Sequence, residues 1–325
     1  MPLTDFRGRR INYLRLSVTD RCNLRCSYCM PPEGICKVAH DDILSFEDLY
    51  RIAVQAVTLG LDKIRVTGGE PLVRKGVVGF LEKLAAIPGI TELALTTNGM
   101  LLRQMAADLR RVGVQRLNVS LDSLKPEVFA QITRGGDLQQ VLDGLAAAED
   151  AGFPPAKLNM VVMRGVNDAE VLDFAALTLR KAYTVRFIEY MPTMRAPDWH
   201  ALWVPGSEVL QRIEQQYQVR RLNATEHAGP ARNFQILGAA GSVGVITPIS
   251  HHFCDHCNRI RVAATGIAKG CLFSSTGVDL KPYLCAGDEV LKEALRAIVT
   301  RKPARHHLLT SHSTYSSFAM AQIGG

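Results

Sequence analysis

Long apolar runs are missing from this sequence of 325 residues. No stretch reaches the roughly 18–20 apolar residues that a membrane-spanning helix needs. The first segment, MPLTDFRGRRINYLRLSV, lacks the apolar core of a signal peptide. Blocks of five or six like charges, internal repeats and low-complexity tracts are also absent. We therefore expect a cytoplasmic globular protein with no membrane segment and no arm for nucleic acid.

The charge balance is moderate and excludes little. The sequence has 38 basic and 31 acidic residues, a net charge of +7, and 47% of its residues are hydrophobic. This excess of positive charge fits an anionic small substrate, and it fits weak attraction to nucleic acid equally well. The length allows one large α/β domain or two domains.

The first two-thirds of the sequence alternates short apolar runs with amphipathic helical segments. The predicted strands are Tyr13–Val18, Lys63–Thr67, Glu92–Thr96, Arg116–Ser120, Lys157–Val162 and Val185–Ile188. Ser45 and Asp48 form a capping box that starts a helix after the first strand. These repeats predict an α/β fold with a parallel sheet, and a partial barrel is favoured over a doubly wound open sheet. The pattern changes after Met191, and we predict two units, 1–220 and 221–325.

Six of the eight cysteines fall into two groups. The first group is Cys22, Cys26 and Cys29, spaced C-x3-C-x2-C directly after the first predicted strand. Grouped cysteines in a reducing compartment indicate a metal site rather than disulfides. Structural zinc prefers paired C-x2-C units and four ligands, so this spacing suits an iron–sulfur cube better. Either Cys36 completes a closed electron-transfer cluster, or the fourth iron stays open for a small molecule.

The second group is Cys254, Cys257 and Cys271, spaced C-x2-C-x13-C. Histidines lie close to it in the sequence, namely His251, His252 and His256. Taken alone, this group fits zinc as well as it fits an iron–sulfur cluster.

The two cysteine groups occur in a wider pattern. YLRLSVTDRCNLRCSYCMP closely resembles the opening of radical S-adenosylmethionine (SAM) enzymes, and TGGEP follows at the end of the second predicted strand. Together with C-x2-C-N-R-I-R-x9-C, these motifs resemble the GTP 3′,8-cyclase family of molybdenum cofactor biosynthesis. The resemblance runs over essentially the whole chain. It includes KIRVTGGEPLVR, LTTNG, RLNVSLDSL, KLNMVVMRGVND, RFIEYMP, GSVGVITPIS and the final glycine pair.

The resemblance implies a partial (β/α)6 barrel of the radical SAM type, with a C-terminal region that closes its open side. It implies two [4Fe–4S] clusters, each held by three cysteines, with SAM on the open iron of the first and GTP between the two. A 5′-deoxyadenosyl radical would take the ribose 3′ hydrogen, and GTP would become 3′,8-cyclo-7,8-dihydro-GTP. Cys36 and Cys285 then match no ligand position, and we expect both to be buried as small hydrophobic residues.

The resemblance also assigns roles to individual residues. Those assigned to SAM are Tyr28, Gly68, Gly69, Glu70, Ser120 and Met191. Those assigned to GTP are Arg15, Arg65, Thr96, Lys157, Arg259, Ile260 and Arg261. Those assigned to catalysis are Cys22, Cys26, Cys29, Arg261, Gly324 and Gly325. The basic residues also suit a triphosphate on chemical grounds, because arginine favours bidentate phosphate recognition.

The partners that the resemblance implies are GTP, a downstream cyclic pyranopterin monophosphate synthase and an electron donor of the reductase or flavodoxin type. It implies no nucleic acid and no membrane, and it is compatible with a homodimer. In the family the C-terminal tail reaches into the barrel. Here Phe318 stands where an arginine is usual. From the sequence, the last eighteen residues read as an extended tail.

Three other functions compete with this interpretation. Another radical SAM enzyme with two clusters, such as a peptide or sulfatase maturase, tends to carry more C-terminal cysteines than the three found here. A zinc module for nucleic acid would use C-x2-C and a basic surface, but it would not need six strand–helix repeats and TGGEP. A relative that binds GTP without reacting has no support, because all six grouped cysteines are present.

Overall fold

The computed structural model describes residues 3–35, 38–193, 198–223, 229–306 and 320–323, whose strands form one twelve-stranded sheet. The strands are β1 (Tyr13–Ser17), β2 (Lys63–Thr67), β3 (Glu92–Thr97), β4 (Arg116–Ser120), β5 (Lys157–Val162), β6 (Thr184–Glu189), β7 (Val219–Arg221), β8 (Arg232–Ile236), β9 (Ser242–Ile246), β10 (Arg259–Val262), β11 (Ile267–Lys269) and β12 (Val278–Asp279). The helices are α1 (Phe46–Thr58), α2 (Val77–Ala85), α3 (Leu102–Arg111), α4 (Pro126–Thr133), α5 (Leu138–Asp150), α6 (Val171–Arg180), α7 (Trp199–Leu202), α8 (Gly206–Gln216), α9 (Lys281–Ala286), α10 (Asp288–Thr300) and α11 (Met320–Ile323).

The predicted parallel sheet is confirmed, and each of the six predicted strands is found within one residue at either end. The strand order is β12-β11-β10-β1-β2-β3-β4-β5-β6-β9-β8-β7. The eight strands from β10 to β9 run parallel, and an antiparallel pair extends each end of that array. The sheet does not close on itself within the described residues, which is the form of a partial barrel.

The helices cover the outer face of this sheet. Helix α1 begins where predicted, because the Ser45 hydroxyl accepts a hydrogen bond from the Asp48 amide at 3.0 Å and the Asp48 carboxylate accepts one from the Ser45 amide at 3.3 Å. Its buried residue Leu49 lies in the same hydrophobic core as Leu14 and Leu16 of β1. Since successive strand residues point to opposite faces, Arg15, which lies between these leucines, points to the inner face.

Strands from both predicted units share this sheet, since β9 pairs with β6 and β10 pairs with β1. The buried carboxylate of Glu189, at the end of β6, ties the two parts together. It accepts hydrogen bonds from the amides of Gly206, Ile249 and Ser250 at 2.8–2.9 Å, and from the Ser250 hydroxyl. The division at residue 220 stays a prediction. No helix in the described ranges combines the length and apolar character needed to cross a membrane.

We predict that Glu189→Gln lowers the free energy of unfolding by roughly 1–3 kcal/mol, because an amide NH2 would replace an acceptor that faces backbone N–H donors. Urea denaturation checks this. The exposed Glu214→Gln in α8 is the control and should leave the midpoint unchanged. Equal midpoints for the two variants would contradict the role given to Glu189.

Candidate active site

A cavity of about 570 Å³ lies on the inner face of the sheet and is lined by residues from both cysteine groups. Its walls include nearly every residue assigned from the sequence. These are Arg15, Cys22, Cys26, Tyr28, Cys29, Arg65, Gly68, Gly69, Glu70, Thr96, Ser120, Lys157, Met191, Cys254, Cys257, Arg259, Arg261 and Cys271. Ile260 differs, because it is fully buried in the hydrophobic core and does not line the cavity. Gly324, Gly325, Phe318 and Cys36 lie outside the described residues.

The first cysteine group sits on the loop that follows β1, at the carboxyl edge of the parallel strands. A tight turn, with the Cys29 amide donating to the Cys26 carbonyl at 2.9 Å, brings two of the cysteines together. Each is a free thiol, and burial is the main cause that raises the pKa of Cys26 and of Cys29. Three free thiols that line the same cavity fit the three-thiolate face of an iron–sulfur cube.

The surroundings of this group are apolar and acidic. Burial, with the Glu70 carboxylate nearby, raises the pKa of Cys22 to about 11. Burial, with the charges of Cys22 and Asp122, raises that of Cys29 to about 12. Asp122 itself accepts a hydrogen bond from the Tyr28 hydroxyl at 2.8 Å. These thiols stay protonated until a metal displaces the protons.

The Gly68–Gly69 turn presses directly on the cysteine loop. The Gly69 amide donates to the Thr19 carbonyl at 2.7 Å, and a Cβ on Gly69 would lie 2.4 Å from the Arg21 carbonyl oxygen. Glu70 fixes the other side of the turn, because its buried carboxylate accepts from Thr97 Oγ1 at 2.8 Å and from the Asn98 amide at 2.7 Å. Burial raises the pKa of Glu70 to about 7. The glycines therefore allow a close approach of two backbones, and Glu70 positions the turn.

The C-terminal helix α11 docks on the first cysteine loop. The Met320 amide donates to the Cys29 carbonyl at 3.2 Å, and buried Ala321 packs with Met30. The expectation of a wholly extended tail is therefore wrong for the four described residues of this segment. The expected burial of Cys285 is also wrong, since its side chain is exposed.

The second cysteine group lies at the other ends of the parallel strands, just before β10 begins. Strands β10 and β11 form an antiparallel hairpin in which Arg261 pairs with Lys269. Cys257 precedes this hairpin and Cys271 follows it, so the chain reversal brings the two thiols to one edge. The x13 spacing is thus the length of a hairpin. Three free thiols lining one cavity end again fit an iron–sulfur face.

Histidines make the second group chemically mixed. Nitrogen atoms of His252 and His306 and the sulfur of Cys254 lie within 4.8 Å of one another, a spacing that could hold a metal ion. Burial would raise the pKa of Cys257, but the charges of Arg259 and Lys302 lower it to about 6. This environment is cationic, in contrast to that of the first group.

A band of positive charge separates the two groups. Arg15 of β1 pairs in register with Arg65 of β2 on one side and with Arg261 of β10 on the other. Among the described residues, eight lysines and arginines line the cavity against one carboxylate, Glu70. Burial, with the charges of Arg186, Arg116 and Arg65, lowers the pKa of Lys157 to about 7. The cavity is therefore built for a polyanion.

Several polar atoms of this wall are buried and have no hydrogen-bond partner in the described parts of the chain. They include Arg65 Nε, Thr96 Oγ1, Asn159 Oδ1 and Arg186 Nε. Buried polar groups are nearly always satisfied in a complete site. These atoms are therefore available to a ligand.

Some wall residues were not assigned to the ligand from the sequence, among them Tyr13, Lys63, Arg116 and Asn159. Each lies in a predicted strand, and Tyr13, Lys63 and Asn159 stand two positions from an assigned residue of the same strand. The two-residue period of a strand would have identified these three. Lys63 and Arg116 both pair with Glu92, at 2.7 and 3.1 Å, so part of their charge is already neutralised.

Comparison with known proteins decides the family. The profile of the Radical SAM superfamily matches residues 16–178, and that of Molybdenum Cofactor Synthesis C matches residues 183–308. A protein of Geobacter sulfurreducens named GTP 3′,8-cyclase is 62% identical over the full length of both chains. The chain belongs to the GTP 3′,8-cyclase family. A relative of the same name from Peptoclostridium acidaminophilum is 46% identical over 99% of this chain and 98% of its own.

Solved structures support the fold of this GTP 3′,8-cyclase family member. Streptococcus suis SuiB bound to precursor peptide SuiA matches with a TM-score of 0.60 at 14% identity, covering 96% of this chain and 70% of that chain. SuiB bound to S-adenosylmethionine matches with a TM-score of 0.59 at 15% identity, covering 88% and 68%. At these identities the likeness shows the fold alone. Membership of the superfamily implies SAM and a [4Fe–4S] cluster.

We predict that Gly69→Ala lowers the free energy of unfolding by about 1–3 kcal/mol and reduces the iron held by the first cysteine group, because the added Cβ pushes the turn off the loop. Urea denaturation and iron analysis of reconstituted protein check both effects. Gly79→Ala in α2 is the matched control, since no atom lies within 4 Å of its Cβ position. A Gly69→Ala protein as stable and as rich in iron as the control would refute this.

Proposed function

We propose that this protein is a radical SAM enzyme that cyclises GTP to (8S)-3′,8-cyclo-7,8-dihydroguanosine 5′-triphosphate, the first step of molybdenum cofactor biosynthesis. The observation that carries the proposal is one cavity with a three-cysteine site at each end and a cationic wall between them. The GTP 3′,8-cyclase relatives support it over their full length.

In this proposal Cys22, Cys26 and Cys29 hold the first cluster and leave one iron for SAM. When bound there, the cluster would supply the electron that cleaves SAM, and the resulting 5′-deoxyadenosyl radical would remove the ribose 3′ hydrogen. The chain's own task is to orient SAM and exclude water. Gly68 and Gly69 offer backbone to the methionine end, while Tyr28, Ser120 and Met191 line the remaining wall. Glu70 acts through the turn that it holds.

GTP takes the middle of the cavity. Its triphosphate meets the guanidinium groups of Arg15, Arg65 and Arg261, which register places side by side on three neighbouring strands. Lys157 and Thr96 extend this surface along β5 and β3. Cys254, Cys257 and Cys271 would hold a second [4Fe–4S] cluster, which would supply an open iron for the guanine edge. Arg259 lines the cavity beside them, and Ile260 supports this wall from the core.

Other parts of the proposal concern partners and the tail. A cyclic pyranopterin monophosphate synthase consumes the product, and a reductase- or flavodoxin-type protein supplies electrons. We also propose a catalytic role for the final residues Gly324 and Gly325, which the contact of helix α11 with the Cys29 loop supports. Cytoplasmic location and a homodimer remain predictions.

Anaerobic reconstitution tests the proposal. We expect about eight irons per chain, from two cubes of four, and we expect 5′-deoxyadenosine and a cyclised GTP product when SAM, dithionite and GTP are added. Cys254→Ala should still cleave SAM but should form no cyclised product. The exposed Cys285→Ser is the control and should match the parent protein. If the reconstituted parent forms neither product, the proposal fails.

Lys157 makes GTP binding dependent on pH. Its pKa of about 7 in the free cavity leaves it mostly neutral at pH 8.5, and a nearby triphosphate raises the pKa of this amine by favouring its charged form. We therefore predict that GTP binding takes up a proton between pH 7.5 and 9. Over this range the affinity for GTP should fall as the pH rises, by roughly tenfold per pH unit at most. Calorimetry in two buffers of different ionisation enthalpy measures the uptake.

Lys157→Arg is the matched variant, because arginine stays charged across this range. Its GTP binding should take up fewer protons than that of the parent. Equal uptake in parent and variant would show that another group titrates.

A further inference from the structure

Lys302 is a fully buried lysine that no sequence motif identified, with 2% of its surface exposed. It lies just after α10, on the short segment 302–306, which we call the strap. Burying an ammonium group is costly unless its three N–H donors and its charge are satisfied. The partners of Lys302 therefore show what the residue does.

The ammonium group of Lys302 holds both ends of the β10–β11 hairpin. Its Nζ donates to the Arg259 carbonyl at 2.8 Å, where β10 begins, and to the Gly270 carbonyl, directly after β11. Gly270 precedes Cys271, and Arg259 follows Cys257 by two residues. One side chain thus links the backbone near Cys257 to the backbone near Cys271 and fixes the distance between them.

The third donor of this ammonium group is directed at sulfur. Lys302 Nζ lies 3.3 Å from Cys257 Sγ, within hydrogen-bond distance for a sulfur acceptor. Its acceptors in the described chain are thus two neutral carbonyls and this sulfur, and no described carboxylate pairs with it. The charge that balances this buried lysine has to come from the cysteine site.

The strap is anchored from the far end of the chain. Arg9 donates to the Cys254 carbonyl at 2.7 Å and to the Pro303 carbonyl at 2.9 Å. The carboxylate of Asp5 in turn pairs with Arg9, and both side chains are buried. Arg9 and Lys302 therefore contact the two ends of the Cys254–Cys257 turn, Arg9 at the Cys254 carbonyl and Lys302 at the Cys257 sulfur.

We propose that Lys302 is a positioning residue of the second cluster, which fixes the Cys257–Cys271 spacing and places its ammonium group against one cluster sulfur. The inference rests on the proposed second cluster. Hydrogen bonds and positive charge at cluster sulfurs stabilise the reduced state and raise the reduction potential. The first cysteine group has Glu70 and Asp122 beside it instead, so the charge distinguishes the two sites.

The test uses the full chain reconstituted with iron and sulfide, and a background in which Cys22, Cys26 and Cys29 are alanine so that only the second cluster forms. Lys302→Gln keeps N–H donors and removes the charge. In the background it should give a cluster with a more negative midpoint potential by redox titration followed by electron paramagnetic resonance, and a lower iron content. Lys302→Arg should restore both toward the parent values.

Lys83→Gln is the matched control, because Lys83 is 62% exposed and lies on α2. In the full chain the first cluster reports folding, so Lys302→Gln should lose iron only from the second site. An unchanged potential and iron content in Lys302→Gln would overturn the proposal. Equal loss of both clusters from the Gln and Arg variants would assign Lys302 to general packing and would also overturn it.

The failure of the underlying function looks different. If the background protein with Lys302 intact binds no cluster at Cys254, Cys257 and Cys271, the second cluster itself is refuted, whatever the variants do. If that cluster forms and the Lys302 variants have the same potential and iron content as the parent, the role of Lys302 is refuted and the second cluster is not.

Discussion

The constraint on the inner face of this sheet is repulsion between like charges. In the described parts of the chain, eight lysine and arginine side chains line the cavity together with one carboxylate. The molecule offsets part of it locally. Glu92 pairs with Lys63 and Arg116, and the ring of Tyr13 lies 5.1 Å from the Lys63 ammonium and 5.4 Å from the Arg65 guanidinium. The remaining repulsion is opposed by the stability of the parallel strands and of the hydrophobic core that packs behind them. A polyanion is the component that removes the repulsion, so affinity for it follows from the architecture.

Much of this architecture could be read from the sequence, because it rests on local patterns. The six strands and the Ser45 capping box follow from alternation and from residue type alone. The pairing of β10 with β1 and of β9 with β6 could not, because it depends on segments distant in the sequence. Ile260 shows the same limit at the site: a family motif includes it, but strand alternation sends its side chain into the core. Lys302 had no signal at all, since an isolated lysine after a helix reads as a surface residue.

The two cysteine groups differ in their surroundings more than in their spacing. Carboxylates and apolar side chains surround the first, whereas arginine and lysine surround the second. Each site offers three thiols, so cysteine count alone does not distinguish them. The electrostatic asymmetry does, because positive charge beside a metal centre favours its reduced state and negative charge disfavours it.

The ladder between β1 and β10 joins parts of the chain 246 residues apart, as the Asn12–Asn258 hydrogen bond marks. Contacts at such separation tend to form late in folding, because the chain loses the entropy of closing a long loop before the contacts contribute their stabilising free energy. The loop carrying Cys22, Cys26 and Cys29 is complete within a few residues of the first strand. The turn that carries Cys254 is instead held by Arg9, which also donates to the Pro303 carbonyl of the strap, 294 residues away in the sequence. The shape of this turn therefore depends on the long-range pairing of β10 with β1, and a change that weakens that pairing would disturb the second cysteine group even where every cysteine is retained.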